Sequence, residues 1–269
     1  MLLDIEINPA AHVVWTTEAV KREEHIKAIS RAHYRTEIEM VARGHRACTT
    51  ANLIPQGFER DIEDFTQRGL IFLPIKRTKK YGGFAHKHVF TTEDDPDSMV
   101  YGVVARRLED AERFRELSLG KVDHGDIGTL LGYPDCCREF FERVWAKEKW
   151  IDTIYHQAQN TPGSVRDGHT VSVKGHPFCN QALRYFGIRI TSHLPCSWQC
   201  EETIRWGELW FSVMRDIDPQ AAEDAMHLLS LPVEWNALKG IVICKTELFH
   251  GIANTVPCYP AHIVQYTPR

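Results

Sequence analysis

Apolar and polar positions along this chain follow a helical period in some stretches and form short strand-like runs in others. Ala19, Ile26, Ile29, His33, Ile38 and Val41 fall mostly three or four apart, which predicts a helix over 17–44, capped by Thr17 and stopped at Gly44. A second, shorter helix is predicted over 58–67. Residues 70–75 and 99–105 are apolar runs too short for helices and flanked by turn or charged residues, so they read as strands separated by turn-rich 79–83 and 93–98.

Further on, Ala111, Phe114 and Leu117 form one side of an amphipathic helix over 108–119. Asp123 can cap a short helix ending at Gly132, and Pro134 opens another that runs through 150 with Phe140, Phe141, Val144 and Trp145 as its apolar stripe. Residues 161–177 are rich in glycine, proline and polar residues without period, which reads as a long loop and the internal boundary of the chain. A strand over 188–191 is expected to lead into an aromatic-rich helix over 196–217 holding Trp198, Trp206, Trp210 and Phe211. A helix over 219–229 and a last strand over 240–244 follow. The pattern predicts a mixed α/β (α+β) fold, helix-rich, with a small sheet and no internal repeat. Residues 1–269 read as a single globular domain divisible into two intimate lobes, 1–160 and 161–269.

Composition narrows the function classes. With 269 residues, 43% hydrophobic and 25% charged, the chain has ample core and is neither disordered nor fibrous. A net charge of -4 gives no footprint for nucleic acid, and the basic run Lys76, Arg77, Lys79, Lys80 reads as a solvated turn, with a local anion contact as the alternative. Asp4 and Glu6 interrupt the N-terminal stretch, and no segment approaches about 18 charge-free apolar residues, so a cytoplasmic protein without a membrane partner is expected. In a reducing compartment, clustered members of the eight cysteines are read first as metal or catalytic candidates.

Four of those cysteines fall in two motifs of one design. Gly132-Tyr133-Pro134-Asp135-Cys136-Cys137 and His193-Leu194-Pro195-Cys196-Ser197-Trp198-Gln199-Cys200 each follow a proline with thiols expected in a first helical turn, where free N–H groups favour thiolate. Cys196 and Cys200, four apart, should lie one above the other on one helix face, ~6 Å apart. A pair does not complete a metal site, so Cys136 and Cys137 are the expected remaining ligands. Neighbouring cysteines point about 100° apart on a helix. That tilts the reading toward a [4Fe–4S] cluster, and zinc, structural or hydrolytic, is the alternative cofactor. If only one of the tandem pair ligates, an open iron can serve lyase, hydrolase or sulfur-transfer chemistry on a small polar substrate. A redox-sensing binding module is the third reading.

His193 is the candidate catalytic residue, as a proton donor to substrate or a hydrogen-bond donor to a sulfur. Cys48, Cys179, Cys244 and Cys258 read as core residues, with Cys179 close enough in sequence to replace a ligand. His86 and His88 can share one side of a strand, and Lys245, Glu247, His250 and Asn254 follow the last strand, where polar residues often line a cleft. Glycine fingerprints for nucleotides, a Gly-x-Ser-x-Gly elbow and His-Glu-x-x-His are absent from the sequence, and Thr203 stands where a radical S-adenosylmethionine motif would place its third cysteine.

The Gly128-x-x-Leu131-Gly132-Tyr133-Pro134-x-Cys136-Cys137-x-x-Phe140-Phe141 core, with His193-x-Pro195-Cys196-Ser197-x-x-Cys200, resembles the DUF483-type family of uncharacterised archaeal and bacterial proteins across roughly 103–215. The resemblance implies that these cysteines act as a set and assigns no reaction.

Overall fold

A computed structural model of the chain describes residues 11–12, 23–79, 91–93, 95–96, 98–120, 124–146, 152–237, 241–244, 249–253 and 263–268. It is a mixed α/β fold in which two sheets are covered by helices. Among the described residues, no helix is long and apolar enough to cross a membrane.

The smaller sheet is an antiparallel set in the order β2 (Cys48–Leu53), β4 (Ser98–Ala105), β3 (Ile71–Lys79). Helices α1 (Glu23–Ala42) and α2 (Phe58–Gln67) bury Ile38, Val41 and Phe65 with Ala51, Leu53 and Val104. On the other side, α3 (Leu108–Leu119) and α4 (His124–Leu130) close over Cys48, Val103 and Ala105. The predicted basic turn is instead the continuation of β3: Arg77 pairs with Glu93 at 2.6 Å, Lys79 pairs with Asp95 at 3.0 Å, and Lys76 lies over the Tyr101 ring. Cross-strand pairing carries the backbone past the charged residues, whose side chains stay solvated.

The larger sheet has seven strands, in the order β1 (Ala11–His12), β9 (Phe249–Ala253), β8 (Ile241–Cys244), β7 (Val233–Asn236), β10 (Ile263–Pro268), β6 (Thr170–Gly175), β5 (Val165–Asp167). Among the described residues, only β10 and β6 run parallel. The expected loop over 161–177 is thus largely an antiparallel hairpin, β5 with β6, whose alternation buries Val171 and Val173 and exposes Ser172 and Lys174. Val264, Tyr266, Val233 and Trp235 join them in the main core, against Ile154 and Ala158 of α6 (Thr153–Gln159), Trp210 and Met214 of α7 (Glu201–Ile217), and Ala225 and Leu229 of α8 (Pro219–Leu229). Helix α1 packs on both α7 and α8.

Other expectations shift. The segment 188–191 is buried without strand pairing, since Ile188 and Ile190 pack into the main core from an irregular backbone. After α5 (Asp135–Phe141) the backbone widens into a π turn, Glu142–Ala146. The proposed Thr17 and Asp123 caps, His86, His88, Lys80, Lys245, Glu247, Asn254 and Cys258 lie outside the described residues, and His250 lies within β9.

A buried carboxylate ties α6 to the sheet. Asp152 accepts from the Ile154 and Tyr155 amides at 3.1 Å and from the Trp235 indole N–H at 2.8 Å, while burial pushes its carboxyl up to about 6. Asp152→Ala removes three hydrogen bonds and should lower stability by about 2–4 kcal/mol at pH 7. Urea denaturation measures it, and a loss below about 1 kcal/mol would show that Asp152 contributes no more than an ordinary cap.

Candidate metal centre

The chain reaches the first pair of cysteines through a turn that needs glycine. Gly132 adopts φ 71°, with its amide on Thr129 O and the Tyr133 amide on Gly128 O, so α4 ends and the backbone reverses toward Pro134. A side chain there would also meet Arg46 Cβ at 3.2 Å and the Trp206 ring at 3.3 Å. Pro134 takes the capping position of α5 and its carbonyl accepts from the Cys137 and Arg138 amides. Cys136 and Cys137 follow in the first turn, the former partly exposed and the latter buried.

The second pair departs from expectation. The helix begins at Glu201 rather than at 196, and Cys200 is its N-cap, with Sγ accepting from the Thr203 amide at 3.4 Å. Cys196 sits in the turn before it, so the two thiols are not stacked on one helix face. Tertiary contacts override the helical period here. Trp198 is fully buried and stacks on Tyr266 at 4.6 Å between ring centroids, and its carbonyl accepts from the His176 amide. A side chain at Gly175 would strike that carbonyl at 2.6 Å, so glycine is what lets the turn lie against the end of β6.

Polar side chains from the C-terminal end of α6 hold the same turn. Asn160 Nδ2 donates to Cys196 O at 2.8 Å, Gln157 Nε2 donates to Cys179 O at 2.9 Å and to Ser197 O at 3.3 Å, and the Thr161 hydroxyl accepts from the Trp198 amide at 2.9 Å. None of these was singled out from the sequence, because a polar residue at a helix end ordinarily faces water.

The result is one cluster. The sulfurs of Cys136, Cys137, Cys196 and Cys200 all lie within 4.8 Å of one another and are placed to hold a metal. Cys136 and Cys137 are 3.9 Å apart, and each is 3.6 Å from Cys200. The Cys196 amide donates to Cys137 Sγ at 3.3 Å. Cys179 packs against the group but points its thiol at Cys200 O, 3.8 Å away, and Cys48 is buried elsewhere with its thiol near Leu130 O.

Two thiolates at such a distance repel by about 5 kcal/mol at an effective dielectric of about 20, so protein alone tolerates roughly one negative sulfur. Cys200 is that sulfur: hydrogen bonds from Cys137, Cys196 and Thr203 hold it well below the usual thiol range. Cys137 is driven up by its bonds to Cys196 and Cys200 and by burial, and Cys136 by burial and the Cys200 charge. A divalent cation offsets two of the four charges and draws the remaining sulfurs toward itself, which eases this conflict.

His193 does not face a sulfur directly. Its Nε2 lies 2.8 Å from Thr203 Oγ1, which is 3.4 Å from Cys137 Sγ, so Thr203 links imidazole to thiol. The ring is 5.4 Å from Tyr133. Burial depresses its pKa to about 4, partly offset by the Cys200 charge and reinforced by Arg46. Arg46 is a further residue the sequence did not mark: it is buried between the Tyr133 and Trp210 rings, with Nε donating to Cys48 O at 2.8 Å.

His33, stacked on Trp210 at 5.4 Å and accepting from Arg189 Nε, is likewise held well below 6.5 by burial and then by Arg189 and Arg46. Both imidazoles stay neutral when folded but take protons when unfolded below about 6.5, so their contribution to stability is present above that pH and is lost progressively as pH falls below it. His33→Gln should therefore flatten the decline: the stability difference between wild type and variant, from urea titrations at pH 7 and pH 4.5, should shrink by about 1–3 kcal/mol at the lower pH. A difference independent of pH would contradict the assignment.

No protein-family model, curated protein or solved structure matches this chain.

Proposed function

We propose that the four thiolates hold a single tetrahedral zinc ion, which fastens the α5 turn to the start of α7 and thereby builds the small-molecule site beside His193. The sulfur spacing carries this reading. Zinc–thiolate bonds of about 2.3 Å at tetrahedral angles put sulfurs ~3.8 Å apart, close to the 3.6 and 3.9 Å seen here. A [4Fe–4S] cubane bound through separate irons spreads its thiolates to ~6 Å, so holding one requires the partly exposed Cys136 and Cys196 to swing outward.

The neighbouring Cys136 and Cys137 are able to share one ion because their sulfurs converge to 3.9 Å, with Cys200 3.6 Å from each. Backbone amides of Cys196 and Thr203 and the Thr203 hydroxyl supply the outer hydrogen bonds that orient metal-bound thiolates. Four thiolates leave no open coordination position, so zinc acts as a structural fastener and the chemistry of the protein falls to the adjoining side chains. The shared behaviour of the cysteines implied by the DUF483-type resemblance agrees with this reading.

Anaerobically purified protein should contain one zinc per chain and no acid-labile sulfide. Four irons with four sulfides would replace this reading with the cubane. Cys200→Ser provides a sharper test, because serine keeps the cap on the Thr203 amide while removing a metal ligand. The variant should lose its zinc and melt at least about 10 °C below the zinc-loaded wild type, yet within a few degrees of chelator-stripped wild type. Calorimetry and metal analysis measure both.

A further inference from the structure

Beside the centre, a cavity of about 240 Å³ is lined by Tyr133, Cys137, Arg138, Arg184, Ser192 and His193, among others. At ~20–30 Å³ per non-hydrogen atom it accommodates on the order of ten of them. Among the described residues, its lining holds two arginines and no carboxylate. Arg138 Nη1 donates to Gly125 O and Nη2 to Asp135, whose side chain is 84% exposed. Buried polar atoms of the lining residues without a hydrogen-bond partner among the described residues include Arg138 Nε, Ser192 Oγ and His193 Nδ1. Buried groups of this kind are ordinarily satisfied by water or ligand, at a cost of about 1–3 kcal/mol each when they are not.

The protons along Thr203 set what His193 offers. A metal-bound Cys137 thiolate can only accept, so the Thr203 hydroxyl donates to it and its oxygen accepts from His193 Nε2–H. The imidazole then presents Nδ1 as a lone pair. From this, and resting on the zinc reading above, we infer that the cavity binds a small hydroxylated anion: Arg138 and Arg184 take the anionic group, and His193 Nδ1 accepts from the ligand hydroxyl with Ser192 beside it. His193 is thereby the substrate-binding residue of the site.

The test is calorimetric titration of full-length, zinc-loaded protein with glycerol 1-phosphate and with glycolate, each against its hydroxyl-free counterpart, propyl phosphate or acetate. One hydroxylated anion should bind about tenfold tighter than its counterpart, and which one does so distinguishes a phosphate from a carboxylate ligand. Arg184→Gln and His193→Gln should each weaken binding about tenfold with zinc content unchanged. Nitrogen-15 spectra of the wild-type histidines give a readout independent of variant folding: His193 should be protonated at Nε2, with its Nδ1 resonance shifting on saturation. Absence of binding below ~10 mM, equal affinity for the hydroxyl-free anions, undiminished binding by Arg184→Gln, or a proton on Nδ1 would overturn the inference. Discriminating binding by protein found to hold an iron–sulfur cluster would uphold the cavity and overturn zinc, whereas stoichiometric zinc without binding does the reverse.

Discussion

Four sulfurs drawn within 4.8 Å of one another, two of them buried, impose the constraint around which this molecule is arranged. Thiols so crowded cannot ionise together without a counter-charge, because each added thiolate meets several kcal/mol of repulsion in a poorly screened site. The protein answers part of that demand with backbone amides and the Thr203 hydroxyl, and concentrates negative charge on Cys200. What remains calls for a cation. A metal held there joins stretches of chain some sixty residues apart, closing a long loop in the way a disulfide would, without requiring oxidation.

The surroundings show how much structure serves that junction. Gly132 turns the chain so that α5 can start beneath the cluster, and Gly175 admits the backbone of the second motif against the end of β6. Asn160, Gln157 and Thr161 then hold the backbone from 196 to 198, while Trp198 anchors it in the main core on Tyr266. The site is thus built from rigid elements, and its irregular turns are restrained by hydrogen bonds rather than by regular secondary structure. Buried polar groups are used in the same spirit at Asp152, which couples α6 to Trp235 of the sheet.

His193 connects the cysteine cluster and the cavity through Thr203. In the zinc-bound state we propose, a thiolate at one end of this short chain sets, through one hydroxyl, which imidazole nitrogen bears the proton, and so what a ligand at the other end must supply. The position that would hold a third cysteine in a radical-type cluster is here a threonine that makes this connection. Burial keeps the imidazole neutral, and Arg46, held between aromatic rings nearby, adds positive potential to the same effect.

Much of this was legible in the chain itself. Periodic burial announced α2, α3 and α8 almost to the residue, since each of these helices buries one apolar stripe, and the two proline–cysteine motifs marked the four thiols that the fold brings together. The strands β1, β2, β5, β6, β7, β9 and β10 were not legible, because residues such as those of Cys48–Leu53 and Val233–Asn236 become strands only when partners satisfy their backbone groups. The same reason explains why Cys196 is not helical: burying Trp198 against the sheet outweighs the local preference of 196–200 to wind. Local pattern determined which side chains could do chemistry and which segments were helical. Tertiary structure alone decided their spacing, the hydrogen-bonded link through Thr203 and the cavity beside it, for these depend on contacts between residues far apart in the chain.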